Sequence, residues 1–190
     1  MVLMELIYTM SPIMLSGVLH MLIVRAGLFQ RLEKPLDAGV SFRGQRVFGD
    51  HKTWRGLLII LATTLLGAWL LLLFERMNPS CTSLNLVPFS RFPWWQVGLG
   101  WGLGYALAEL PNSFLKRQFG LAPGKGTTGQ LGIVLIFFDQ ADSAIGCGLV
   151  AYFFFSFTFS SALGFAALGT VIHLILNALL GGIGVRRRCV

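Results

Sequence analysis

Apolar residues fall into long runs separated by polar stretches, and these runs organise the chain. Residues 2–24 are broken only by Glu5 and small polar side chains, and 56–74 is rich in Leu. The run 94–115 opens on Trp94 and Trp95. The run 131–157 is interrupted by Asp139-Gln140-Ala141-Asp142-Ser143, and 162–185 carries His173 and Asn177. A bilayer core of roughly 30 Å takes about 20 apolar residues per helix. The pattern therefore predicts an all-α integral membrane protein of about five transmembrane helices, over 2–24, 56–74, 94–115, 142–159 and 162–185. The fourth crossing is expected to start close to Asp142, with 131–138 lying in or near the interface or packing against other helices. Between the spans, 25–55 reads as loop because of Pro35 and the glycines at 39, 44 and 49, and 116–130 reads as a second loop. Gly98, Gly100, Gly102 and Gly104 offer a small-residue face for helix association within one chain or between two, as in a homodimer. The cluster Phe153, Phe154, Phe155, Phe157 and Phe159 is expected to face lipid.

Composition agrees with a membrane domain spanning 1–190. The chain is 55% hydrophobic and 12% charged, with a mean hydropathy of +0.72, far from a soluble domain. The first run lacks the basic residues that precede a signal-peptide core; Arg25, Arg31 and Lys34 follow it, so it reads as a retained span with its N-terminus outside. Five crossings then place loops 25–55 and 116–130 and the C-terminal tail on one face. That face holds thirteen of the fifteen Lys and Arg residues, leaving Arg76 and Arg91 opposite. Such crowding marks the cytoplasmic side of a cell membrane. The net charge of +7 is thus a topological signal, and no nucleic-acid partner is expected. Cys81, Cys147 and Cys189 are too scattered for a disulfide framework or a metal motif.

The chemistry collects at the same face. On a helix, Glu109, Ser113 and Lys116 or Arg117 form one stripe, and Asp139 and Asp142, three apart, also share a side. Acids within membrane segments are costly unless paired or bound to a cation. Carboxylates beside several bases can hold a metal-bound polyphosphate, the acids taking hard divalent cations through oxygen and the bases taking phosphate. They can equally pair with one another to stabilise a bundle. Lys52, Thr53 and Arg55 precede the second span, where they suit either phosphate or lipid head groups. Lys125 sits in a basic Pro-Gly-Lys-Gly turn, and no Walker A spacing is present. His173 and Asn177, four apart, share a face of the last span, where a His is more often a packing residue than a ligand.

Phe-Gly-Asp-His-Lys-Thr-Trp-Arg-Gly at 48–56, Ser-Phe-Leu-Lys-Arg at 113–117, Asp-Gln-Ala-Asp at 139–142 and His-x-x-x-Asn at 173–177 occur in order over nearly the whole chain. This set resembles the CDP-archaeol synthase family, membrane cytidylyltransferases related to the CDP-diacylglycerol synthases. The resemblance implies transfer of CMP from CTP to a membrane lipid phosphate, archaeol-type or diacylglycerol-type, with Mg²⁺ and release of pyrophosphate. It implies Lys116, Asp139 and Asp142 as catalytic residues, with Asp139, Asp142 and Glu109 on the metal. It implies Lys52, Thr53, Arg55, Asn112, Ser113, Arg117, Lys125, His173 and Asn177 on the substrates. The chain departs from the family where Ala108-Glu109 replaces the usual Gly-Asp and Leu110-Pro111-Asn112 follows. The apolar run 133–138 is also longer than usual. A CDP-alcohol phosphotransferase is disfavoured because its Asp-Gly-x-x-Ala-Arg spacing is missing. The non-enzymatic alternative is a small lipid-binding, transport or assembly protein.

Overall fold

The structure is a computed structural model that describes residues 2–121 and 130–182. Five long helices follow one another: α1 (Val2–Arg25), α2 (Trp54–Met77), α3 (Trp94–Gln118), α4 (Gln130–Phe153) and α5 (Phe159–Gly182). Each packs chiefly on its neighbours in sequence, and α1 also touches α3 and α5. Among the described residues, Leu3–Arg25, Trp54–Met77 and Phe159–Leu176 are long and apolar enough to cross a membrane, and Ala141–Phe153 is a shorter apolar stretch.

Glycines set the helix spacing around α3. A side chain on Gly98 would meet the Leu65 Cα at 2.7 Å, and one on Gly102 the Thr64 hydroxyl at 2.5 Å, so these two positions abut α2. Gly100 and Gly104 face α4 and its end, against Phe155 and the Gly146 carbonyl. The four glycines thus seat α3 between two neighbours, because residues two apart point to different sides of a helix. Gly67 of α2 admits Pro12 of α1 in the same manner. Pro12 and Pro111 lie inside helices that continue through them, as neighbouring helices allow within a membrane.

The fourth helix runs from Gln130 to Phe153, with Ala141–Phe153 as its apolar stretch. Its polar run causes no break because Asp139, Asp142 and Ser143 find hydrogen-bond partners on α3. The phenylalanine cluster divides: Phe153, Phe154 and Phe159 are about 70% exposed, whereas Phe155 and Phe157 are buried. The reason lies in the backbone after α4, where Ser156 takes φ +61° and turns the chain inward. Phe155 then meets Trp101 edge-on at 4.9 Å, and Phe157 meets Phe165, on which Trp101 stacks at 5.0 Å. These rings form the core.

The connection after α1 contains more structure than its loop-like sequence suggests. Ser41–Phe42 (β1) and Gln45–Arg46 (β2) pair antiparallel across Arg43 and Gly44, both at positive φ. Phe42 touches Phe114 of α3, the ring centroids 6.0 Å apart. Beneath the hairpin, Asp37 accepts hydrogen bonds from the N–H groups of Gly39, Phe48 and Gly49 and pairs with Arg46 at 2.6 Å. Burial alone would raise this carboxyl, but Arg46 and the three backbone donors outweigh it and hold it well below the usual carboxylate range. A depressed folded-state value adds stability above the unfolded value, about pH 3.9, and that stability is lost as the pH falls toward the folded value. Asp37→Asn should therefore lower the melting temperature at pH 7, and the gap to wild type should close below about pH 4. A gap that is unchanged by acid would refute the ionic role of Asp37.

Candidate functional site

The polar faces of α3 and α4 meet near the end of the bundle that carries the hairpin. On α3, Glu109, Asn112 and Lys116 project to one side, as spacings of three and four residues require. Asn112 donates through Nδ2 to Asp139 Oδ1 at 2.7 Å and to Asp142 Oδ2 at 2.9 Å, joining the two aspartates. Lys116 pairs with Asp139. Asp142 also accepts from the Ser143 N–H and hydroxyl, and the same hydroxyl lies 3.1 Å from Glu109 Oε1. Glu109 pairs with Lys52, which arrives from the loop before α2.

Three carboxylates are therefore chained through Asn112 and Ser143 and flanked by two lysines. The cluster is not sealed, since the Asp139 side chain is 44% exposed. Arg117 adds a further signal, because its buried Nε and Nη1 meet no hydrogen-bond acceptor among the described residues. Buried guanidinium donors without partners are expensive, and an anionic oxygen is their natural complement. Carboxylate oxygens, completed by water or phosphate oxygens, suit a hard divalent cation. Asp139 and Asp142 offer them side by side, while Glu109 stands one hydroxyl away. Among the described residues no three His, Cys, Asp or Glu side chains are gathered around one point.

The other expected residues have different surroundings. Thr53 caps α2, its hydroxyl accepting the Gly56 N–H at 3.2 Å. Arg55 donates to Glu33 at 2.8 Å and ties the loop to α2. Among the described residues, Ser113 takes no part in the α3–α4 network. His173 Nε2 lies 3.4 Å from the Tyr105 hydroxyl. Lys125 and the Asn177 side chain lie outside the described residues. Sequence reasoning missed Ser143, Tyr105 and His20. Ser143 adjoins Asp142, and Tyr105 lies one turn before Glu109, so spacing alone could have found both. His20, a lone imidazole near the end of an apolar span, lies within electrostatic range of Glu109, Lys52 and Arg55.

Beside the polar cluster, a half-open apolar cleft separates α1 from α5. Met10, Ile13, Met14 and Gly17 form one wall, and Phe165, Gly169, Ile172 and Leu176 the other. Tyr105, Ser143, Ala144 and Cys147 make the floor. Ser143 belongs to both floor and polar cluster, so the cleft and the charged site adjoin.

A family model described as CarS-like, CDP-archaeol synthase, matches residues 1–187. The CDP-archaeol synthase of Pyrococcus furiosus is 36% identical over 97 residues, a match that spans 50% of this chain and 52% of that one. The CDP-archaeol synthase of Natronomonas pharaonis is 30% identical over 158 residues, covering 82% of this chain and 78% of its own. A solved structure described as an intramembrane enzyme for archaeal membrane lipids biosynthesis superposes with a TM-score of 0.59 at 26% identity. It covers 90% of this chain and 92% of its own.

Proposed function

The chain belongs to the CDP-archaeol synthase family, and on that footing we propose that it transfers CMP from CTP to a membrane lipid phosphate, forming a CDP-lipid and pyrophosphate. The observation that carries this reading is the Asn112-bridged pair Asp139 and Asp142, flanked by Lys116 and Lys52 beside the buried donors of Arg117. The distribution of Lys and Arg supports a site on the cytoplasmic side of a multi-pass protein.

The acceptor's phosphate oxygen attacks the α-phosphorus of CTP, and the bond to the departing pyrophosphate breaks in line with it. A phosphate monoester is already largely ionised near neutral pH, so no side chain has to remove a proton. The protein's work is positioning and charge balance. Lys116, Lys52 and Arg117 hold phosphate oxygens. Asn112 keeps the two aspartates together, and Ser143 fixes the orientation of Asp142. Asp139 and Asp142 would hold Mg²⁺, with Glu109 at hand, and the ion would neutralise charge on the transferring group. The acceptor's chains lie in the cleft between α1 and α5, whose floor leads its head group to Ser143. A bilayer-embedded acceptor reaches such a site sideways, which explains why the charged residues lie on helices.

The test is a label-transfer assay on purified protein with CTP, Mg²⁺ and a lipid phosphate. Label at the α-phosphate should appear in the lipid, and label at the γ-phosphate only in pyrophosphate. A γ-label in the lipid, or saturable lipid binding with no product from any acceptor, refutes the transfer.

A further inference from the structure

His20 of α1 stands beside the polar cluster but has no part in the network that joins α3 to α4. Its imidazole borders the first turn of α2. A Cβ built on Gly56 would stand 3.8 Å from His20 Nε2 and 3.7 Å from Thr53 Oγ1, and no other described group outside its own turn comes within 4 Å. The space in front of the bare Gly56 Cα is therefore edged by two polar side chains from different elements. Both have a hydrogen to give. The Thr53 oxygen accepts the Gly56 N–H, which leaves its own proton uncommitted, and His20 makes no hydrogen bond among the described residues. Lys52 and Arg55 flank the same turn, and His20 lies within electrostatic range of both. Each cation is already held by a glutamate, Lys52 by Glu109 and Arg55 by Glu33, so the open donors are the imidazole and the hydroxyl. Two such donors beside fixed positive charge suit an anionic oxygen. Alanine at 56 would meet both polar atoms at ordinary contact distance and would favour the helix, so packing between neighbours does not ask for glycine there.

We propose that His20 is a substrate-binding residue: its Nε2–H and the Thr53 hydroxyl hold one phosphate oxygen in the gap in front of Gly56. This rests on the transfer reading above and adds α1 to the elements that grip phosphate. Gly56 is bare because a methyl would take the place of that oxygen. Both substrates carry phosphate, so the oxygen comes either from the nucleotide or from the acceptor. A hydrogen bond to a charged group is worth roughly tenfold to a hundredfold in affinity.

The experiment measures the KM for CTP and the KM for a lipid phosphate separately, in detergent micelles with Mg²⁺, for wild type, His20→Ala, His20→Gln and Gly56→Ala. His20→Ala should raise one of the two KM values by roughly tenfold to a hundredfold, with kcat much less affected. The substrate whose KM rises is the one that supplies the oxygen. His20→Gln, whose amide N–H reaches the place of Nε2, should recover most of the loss. Gly56→Ala should raise the same KM while melting at or above wild type. A His20→Ala protein with both KM values at wild type, as a gap filled only by water would give, overturns the proposal. A glutamine variant no better than alanine overturns it too. Calorimetry with CTP alone and with the lipid phosphate alone repeats the comparison without turnover. If no acceptor gives product but His20→Ala and Gly56→Ala still weaken the binding of one substrate, the transfer reading fails and the role of His20 stands. Should His20→Ala melt far below wild type, Gly56→Ala decides by the same KM.

Discussion

Replacing Asp142 by Asn will reduce CDP-lipid formation by about 10²–10³-fold while leaving the protein folded. Asn is isosteric, and its amide oxygen can still accept from the Ser143 N–H and hydroxyl. The other end of the group cannot. Asp142 Oδ2 accepts from Asn112 Nδ2, and an amide nitrogen there would set donor against donor. The substitution also removes one of the two adjacent negative charges proposed to hold the cation, which a hydrogen-bonding role alone would not require. Expression should stay near wild type and the melting temperature fall only slightly, because a single hydrogen bond of this kind contributes about 1 kcal/mol and the apolar helix contacts are unchanged. A variant that keeps more than about a tenth of the activity removes Asp142 from the chemistry.

Gly146→Val should fail earlier, at folding. A Cβ on Gly146 would collide with the Gly104 carbonyl and the Ala108 methyl across the α3–α4 contact. Backbone atoms cannot swing aside as a flexible side chain can, so the helices must separate. Overpacking of this kind costs about 1–3 kcal/mol, and a carbonyl in the way belongs at the upper end. The melting temperature should drop by about 10 °C or the folded yield collapse, with Gly146→Ala milder. The same helices carry Glu109, Asn112, Asp139 and Asp142, so any folded remnant should also be slow. A Gly146→Val protein that melts like wild type would mean that α3 and α4 do not meet here. Gly17→Ala, in the open cleft, is the matched control and should leave the melting temperature nearly unchanged.

Much of the architecture was legible because a long apolar run in lipid has few alternatives to a helix. The site was legible wherever its geometry is local. Asp139 and Asp142 share a side because they are three apart, and Glu109 and Lys116 because they are seven apart. What stayed hidden depends on groups distant in the chain. Lys52 reaches Glu109 across 57 positions, and nothing in the loop's composition measures that reach. The polar run at 139–143 read as an interruption for the same reason. A helix keeps such residues when partners stand opposite, and those partners are on α3. Asn112 stood beside Pro111 in the sequence, and only the structure reveals it as the bridge between two acids. The hairpin at 41–46 was missed because two-residue strands leave almost no periodic trace.

The alternating glycines of α3 have one more consequence. A rod seated against backbone on both flanks cannot slide or rotate without clashing, so the middle of this bundle behaves as a fixed post. Whatever motion accompanies the arrival of a greasy reactant and the departure of its bulkier product must therefore leave the post standing, and the charged residues it carries keep their places.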